Sequence, residues 1–225
     1  RTFGYKNAIK NITTMCKSLL EKTGTTKDSI SFLGISLPGT VDPKSQQMIQ
    51  GNSNIFSYED IAFHLKKNLG LCCQTAVAND ANCFILAESQ LGVGCSFNQN
   101  ATGIGVILGT GVGGGVVCGK KVLVGKKGAA CEIGHIELIT GGHPCYCSLT
   151  GCSEQYLSGP ALEASYYNRS YSHITTRPCS KEIFDLAQKQ EPIARAVVGQ
   201  YKDYLAKFLR TLNQIFDPDY IVLGG

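Results

Sequence analysis

His135, Cys145, Cys147 and Cys152 place one imidazole and three thiols within eighteen residues. The run that holds them, G-H-I-E-L-I-T-G-G-H-P-C-Y-C-S-L-T-G-C-S-E, is broken by Gly and Pro, which let the backbone fold back on itself. Those are the donor types and the density that a tetrahedral zinc site needs. A metal bound there pins a polar loop that carries two carboxylates, Glu132 ahead of the histidine and Glu154 just after the last cysteine.

The other cysteines point the same way. The chain has 11, and many sit inside apolar runs, such as Cys83 in A-N-C-F-I-L-A and Cys118 in G-V-V-C-G. Free cysteine behaves there as a small hydrophobe. That usage fits a reducing cytoplasm better than a disulfide framework, and the first residues do not read as a signal peptide. A net charge of +4 gives no concentrated basic face, so nucleic acid is not an expected partner. Lys120, Lys121, Lys126 and Lys127 flank V-L-V and read as a solvated hairpin. No apolar run approaches the roughly 18 residues of a membrane span.

Periodicity predicts alternating helices and strands. Tyr5, Ala8, Ile9, Ile12, Met15, Leu19 and Leu20 recur at helical spacing until Gly24. S-I-S-F-L-G-I-S reads as a strand that ends at Pro38-Gly39. Helices are expected over 58–68, 81–91, 154–167, 181–188 and 192–216, with a strand over 74–78 and another in D-P-D-Y-I-V-L-G-G. Residues 92–102 read as a linker, dividing a smaller part, 1–102, from a larger part, 103–225. The class is α/β.

Gly109, Gly111 and Gly114 satisfy G-x-G-x-x-G after a strand, I-G-V-I-L. A dinucleotide-binding turn must open a helix, whereas G-V-V-C-G-K-K-V-L-V reads as a second strand. No Gly-Lys-Ser/Thr follows, so it is not a Walker A loop. What remains is a glycine hairpin: either a tight turn that needs positive φ, or a nest of bare amides for an anion, with Thr110 adding a hydroxyl. In V-A-N-D-A-N-C-F, Asn79 and Asp80 stand where a strand meets a helix. They read equally as a helix cap and as a general base at the mouth of a sheet.

Taken together, S-L-P-G-T-V-D-P, A-N-D-A-N-C-F, I-L-G-T-G-V-G-G-G, E-I-G-H, C-x-C-x4-C followed by Glu, and D-P-D-Y-I-V-L-G-G resemble the ROK family of sugar kinases and sugar-responsive repressors. The resemblance spans nearly the whole chain. It implies the actin-like ATPase/hexokinase (ribonuclease H-like) fold, with two lobes, sugar in the cleft and ATP on the second lobe. It implies Asp80 as the group that takes the proton from a sugar hydroxyl. Asn79, Gly39, Glu132, His135 and Glu154 would then hold other hydroxyls. Gly109, Thr110 and Gly111 would meet the transferring phosphates, with Gly224 and Gly225 beside the adenosine. His135, Cys145, Cys147 and Cys152 match the family's zinc ligands. ATP, Mg²⁺ and a structural Zn²⁺ are the implied cofactors, a hexose and ATP the implied ligands, and a homodimer the implied assembly.

The sequence also departs from the family pattern. The family opens on a D-x-G-G-T phosphate hairpin, and here Asp28 is the only Asp before Asp42. The family also runs on past the final glycine pair, so the chain is expected to be a member lacking both ends. Cys131 and Ser148 stand where the family usually has Gly; Ser148 is expected to strain the zinc turn and Cys131 to crowd the sugar loop. The expected activity is ATP-dependent phosphorylation of a hexose, of fructokinase or glucokinase type. The alternatives are an N-acetylhexosamine kinase, a sugar-sensing repressor and an inactive relative.

Overall fold

The computed structural model describes residues 4–51, 54–170 and 177–225. They pack as two compact units: one runs up to Cys83 and takes in Val124–Ala130, the other comprises Phe84–Leu123 and Cys131–Gly225. This packing boundary falls inside a helix, not at residue 102.

In the first unit, helix α1 (Tyr5–Thr23) ends where expected, because Gly24 adopts a left-handed φ of 63° and returns its N–H to Leu20 and Glu21. Strand β1 (Phe32–Leu37) runs parallel to β4 (Gln74–Asn79), with Leu37 opposite Asn79. Two short antiparallel strands, β2 (Gly39–Val41) and β3 (Met48–Gly51), lie between them in sequence. Helix α2 (Ile61–Leu69) starts later than the expected 58, because Asp60 caps it by accepting from the Phe63 amide. Ile9, Leu37, Val41, Met48, Ile61, Leu65 and Val77 form the core.

Helix α3 (Asp80–Gln90) follows β4 directly and carries the chain into the second unit. There β5 (Thr102–Leu108) and β6 (Val112–Cys118) form the expected glycine hairpin. Together with β7 (Lys121–Val122) and β8 (Tyr220–Gly224) they make one sheet, ordered β7-β6-β5-β8, in which β8 runs parallel to β5. The segment 92–102 is not a linker. Gly94 is buried, Phe97 lies 4.7 Å from the Tyr220 ring, and both flanking elements belong to this unit.

The helix expected over 154–167 is two helices, α4 (Glu154–Leu157) and α5 (Gly159–Arg169). Ser158, extended at ψ 157°, breaks the run and caps the second by accepting from Ala161. Helix α6 (Ser180–Gln188) is followed by α7 (Pro192–Phe216), whose bounds are those read from the sequence. Glu191 fixes its start by accepting from the Ile193 and Ala194 amides. Phe208 and Leu212 of α7 pack with Ile104, Val106, Val116, Ile133 and Leu157 in the main core.

Candidate functional site

In the first unit the sequence-predicted residues Gly39, Asn79 and Asp80 meet at the C-terminal end of β4. Asn79 does two jobs. Its Oδ1 accepts from the Ala81 and Asn82 amides at 2.9 and 3.2 Å, satisfying donors that the start of α3 leaves unpaired. Its Nδ2 donates to the Gly39 carbonyl at 3.1 Å. The capping reading therefore belongs to Asn79. Asp80 is the first helical residue; its Oδ1 accepts from the Ala81 amide at 2.9 Å and its side chain is exposed. Gly39 is a residue of necessity: a Cβ there would collide with the Gln50 carbonyl and the Gly51 backbone.

In the second unit His135, Cys145, Cys147 and Cys152 converge. Their ligand atoms all lie within 4.8 Å of one another. Cys145 Sγ stands 3.6 Å from His135 Nδ1, and Cys147 Sγ stands 3.6 Å from Cys152 Sγ. Ligands at ordinary zinc distances are about 3.5–3.8 Å apart along a tetrahedral edge, so the four residues fit the metal that the sequence implies. Their electrostatics agree. Burial and the neighbouring thiols push Cys152 up to about 12, while the Leu149 amide lowers Cys147. Thiols this close resist sharing negative charge, and a cation at their centre removes that conflict.

The backbone around the cluster explains how it forms. The Cys145 amide donates to the Leu149 carbonyl, and the Ser148 amide returns to Cys145, closing a tight turn. Ser148 holds that turn at φ 72°, in the left-handed region that favours glycine. Cys131, the other departure, sits at φ 66°. Ser153, fully buried, donates through Oγ to the Ile133 carbonyl at 2.7 Å. One hydroxyl thus ties the 3-10 turn Ile133–His135 to the residue that precedes Glu154.

Glu154 is buried and accepts from the Val112 amide at 2.9 Å. On its carbonyl side, Val112 backs onto Gly134 so closely that a Cβ at Gly134 would run into the Val112 carbonyl. Gly114 is bare for a similar reason, because a Cβ would strike the Ile133 side chain. The tight-turn reading of the hairpin fails at its tip: neither Gly109 nor Gly111 adopts positive φ. Gly109 instead donates to the Gly111 carbonyl at 3.0 Å and accepts from the Gly159 amide at 2.8 Å, leaving Thr110 exposed at the tip. Gly224 and Gly225 end β8 beside this tip, with Gly224 opposite Ile107 and Gly225 against Leu108. Glu132 is exposed at the start of the His135 turn.

Sequence reasoning passed over Tyr146. Its hydroxyl lies 3.2 Å from His135 Nε2, and the two rings meet edge-on at 5.3 Å. The only signal was its position between two candidate ligands, Cys145 and Cys147.

The ROK family model matches residues 4–225. The chain belongs to the ROK family. The N-acetyl-D-glucosamine kinase of Shigella flexneri serotype 5b (strain 8401) is 34% identical to this ROK chain over 203 residues, 86% of the chain. The chain spans 64% of the length of that curated relative. The ROK hexokinase from Thermus thermophilus superposes with a TM-score of 0.79 at 29% identity, covering 100% of this chain and 71% of its own. The ROK family glucokinase from Streptomyces griseus, solved with glucose and AMPPNP, also gives 0.79, at 26% identity, covering 96% of this chain and 72% of its own. The ROK chain accordingly has the actin-like hexokinase fold that its motifs implied. Among the described residues no helix is long and apolar enough to cross a membrane.

Proposed function

We propose that the ROK protein to which this chain belongs is a sugar kinase, moving the terminal phosphoryl group of ATP to a hexose hydroxyl. The observation that carries the reading is Asp80. It is an exposed carboxylate at the C-terminal end of a strand, positioned by a cap residue that also ties down Gly39.

A sugar hydroxyl is a poor nucleophile, and phosphoryl transfer gains mostly from positioning and charge neutralisation. Asp80 aligns the hydroxyl and accepts its proton as the bond to phosphorus forms. Asn79, Gly39, Glu132, His135 and Glu154 read the remaining hydroxyls; a sugar lacking one leaves a polar group unpaired, which discriminates strongly. Gly109, Thr110 and Gly111 meet the phosphates, and Gly224 and Gly225 lie beside the adenosine. Mg²⁺ supplies positive charge to the ATP phosphates. Zn²⁺ on His135, Cys145, Cys147 and Cys152 is structural, because four protein ligands leave no open position. Bound there, it would hold the His135 ring by one nitrogen and leave the other for a sugar hydroxyl. The working form is a cytoplasmic homodimer.

N-acetylglucosamine is the second reading for the acceptor, ahead of fructose, because the relative at 34% identity is an N-acetyl-D-glucosamine kinase. A coupled ADP-release assay on the full-length gene product, run with glucose, fructose, mannose, N-acetylglucosamine and N-acetylmannosamine, tests both readings. ATP turnover is expected only with a sugar present. Equal turnover without sugar, or none with any sugar, overturns the kinase reading.

A further inference from the structure

We propose that Tyr146 is a gate on the sugar site, a side chain whose hydroxyl holds His135 Nε2 until a sugar hydroxyl replaces it. The inference rests on the reading of His135 as a sugar ligand and adds a residue that the family motifs leave as a free position.

The chemistry starts at the imidazole. Nδ1 faces Cys145 Sγ at 3.6 Å, on the metal side of the ring. With Nδ1 on a metal, the ring's one proton sits on Nε2. That N–H then donates to the Tyr146 hydroxyl oxygen at 3.2 Å. One N–H makes one good hydrogen bond, so the phenol and a sugar hydroxyl compete for it. The tyrosine offers the same chemical group as the sugar.

Tyr146 is 61% exposed, so its side chain has open space to turn into. Its backbone is fixed between two metal ligands, Cys145 and Cys147. The gate opens by rotation about the side-chain bonds, which exposed residues make on the ps–ns scale, and needs no loop movement.

Such a gate lowers sugar affinity by the fraction of time it is closed. In the zinc-loaded full-length protein, Tyr146→Phe is expected to bind the preferred sugar about 2- to 10-fold more tightly by calorimetry, the effect of one ordinary hydrogen bond. KM should fall by the same factor. A second readout needs no sugar: the His135 ring N–H resonance is expected to be protected from exchange in the parent protein and to exchange faster in Tyr146→Phe. Equal or weaker sugar binding by the variant overturns the gate, as does unchanged ring N–H exchange. A parent protein that binds no hexose while its ring N–H depends on Tyr146 overturns the sugar reading, and the gate with it, while leaving the contact in place.

Discussion

Asn79 Nδ2 donates to the Gly39 carbonyl at 3.1 Å, so the residue that caps helix α3 also fastens strand β2 to the end of β4. The two functions separate by substitution. Asn79→Ala loses both and is expected to cost about 1–2 kcal/mol, the upper range for a lost cap. Asn79→Asp keeps the acceptors for Ala81 and Asn82 but faces the Gly39 carbonyl with a carboxylate. It should recover part of the thermal stability and little of the sugar affinity, measured by denaturant unfolding and calorimetry.

Asp80→Asn in the full-length protein is expected to lower kcat by about 10²–10⁴-fold, the range for loss of a general base. Sugar affinity should change far less, since the amide still occupies the same position. Normal turnover in this variant would falsify the proton-acceptor role.

Glu154 is buried and holds the Val112 amide. Glu154→Ala leaves that buried donor without its partner and should destabilise by about 1–3 kcal/mol. Glu154→Gln retains a carbonyl acceptor and should fold nearly normally while binding sugar poorly. A Gln variant with full sugar affinity would remove Glu154 from the sugar contacts.

The cysteine cluster should carry one zinc per chain by mass spectrometry of metal content. Removal by chelator, or Cys152→Ser, is expected to lower the melting temperature and to weaken sugar binding about tenfold or more, because binding energy at such sites is folding energy and supports the attached His135. Metal-free protein with unchanged sugar affinity would break the link between them.

Ser148 and Cys131 both occupy left-handed backbone, at φ 72° and 66°. Ser148→Gly and Cys131→Gly are each expected to stabilise the protein, by about 0.5–1 kcal/mol, once relief of steric strain is set against the greater freedom of glycine in the unfolded chain. A lower melting temperature in both variants would show that neither side chain strains its turn.

Local signals carried much of this fold. Pro192 after Glu191, and Gly24 after an apolar stripe, mark helix ends by chemistry that lies within one turn, and those ends were legible. Pro160 carried a similar signal, since Ser158-Gly159-Pro160 is a helix start; the surrounding helical periodicity hid it. Strands β2 and β3 were not legible, because a strand of three or four residues is made by its partner across the pair and has no pattern of its own. The segment 92–102 was misread for the same reason. Its polar, glycine-rich composition is that of a linker, but Gly94 and Phe97 are held by Tyr220, more than a hundred positions away. Within the candidate site, the four residues of the His–Cys cluster were readable from donor type and spacing, and the fold brings their ligand atoms within 4.8 Å of one another. The hydrogen bond from the Val112 amide to Glu154 and the contact of Tyr146 with His135 depend on how separate segments lie against one another, and spacing does not encode that.

Val112 has no chemistry of its own, yet it is clamped from both sides, by a carboxylate on its N–H and by Gly134 against its carbonyl. It stands one residue beyond Gly111 and two beyond Thr110, the exposed tip of the hairpin. Glu154 is therefore tied to the main chain two residues from the hairpin tip. If Glu154 holds a sugar hydroxyl and the glycine tip meets the phosphates, as proposed, the two contacts would be joined through a single residue of main chain, Val112.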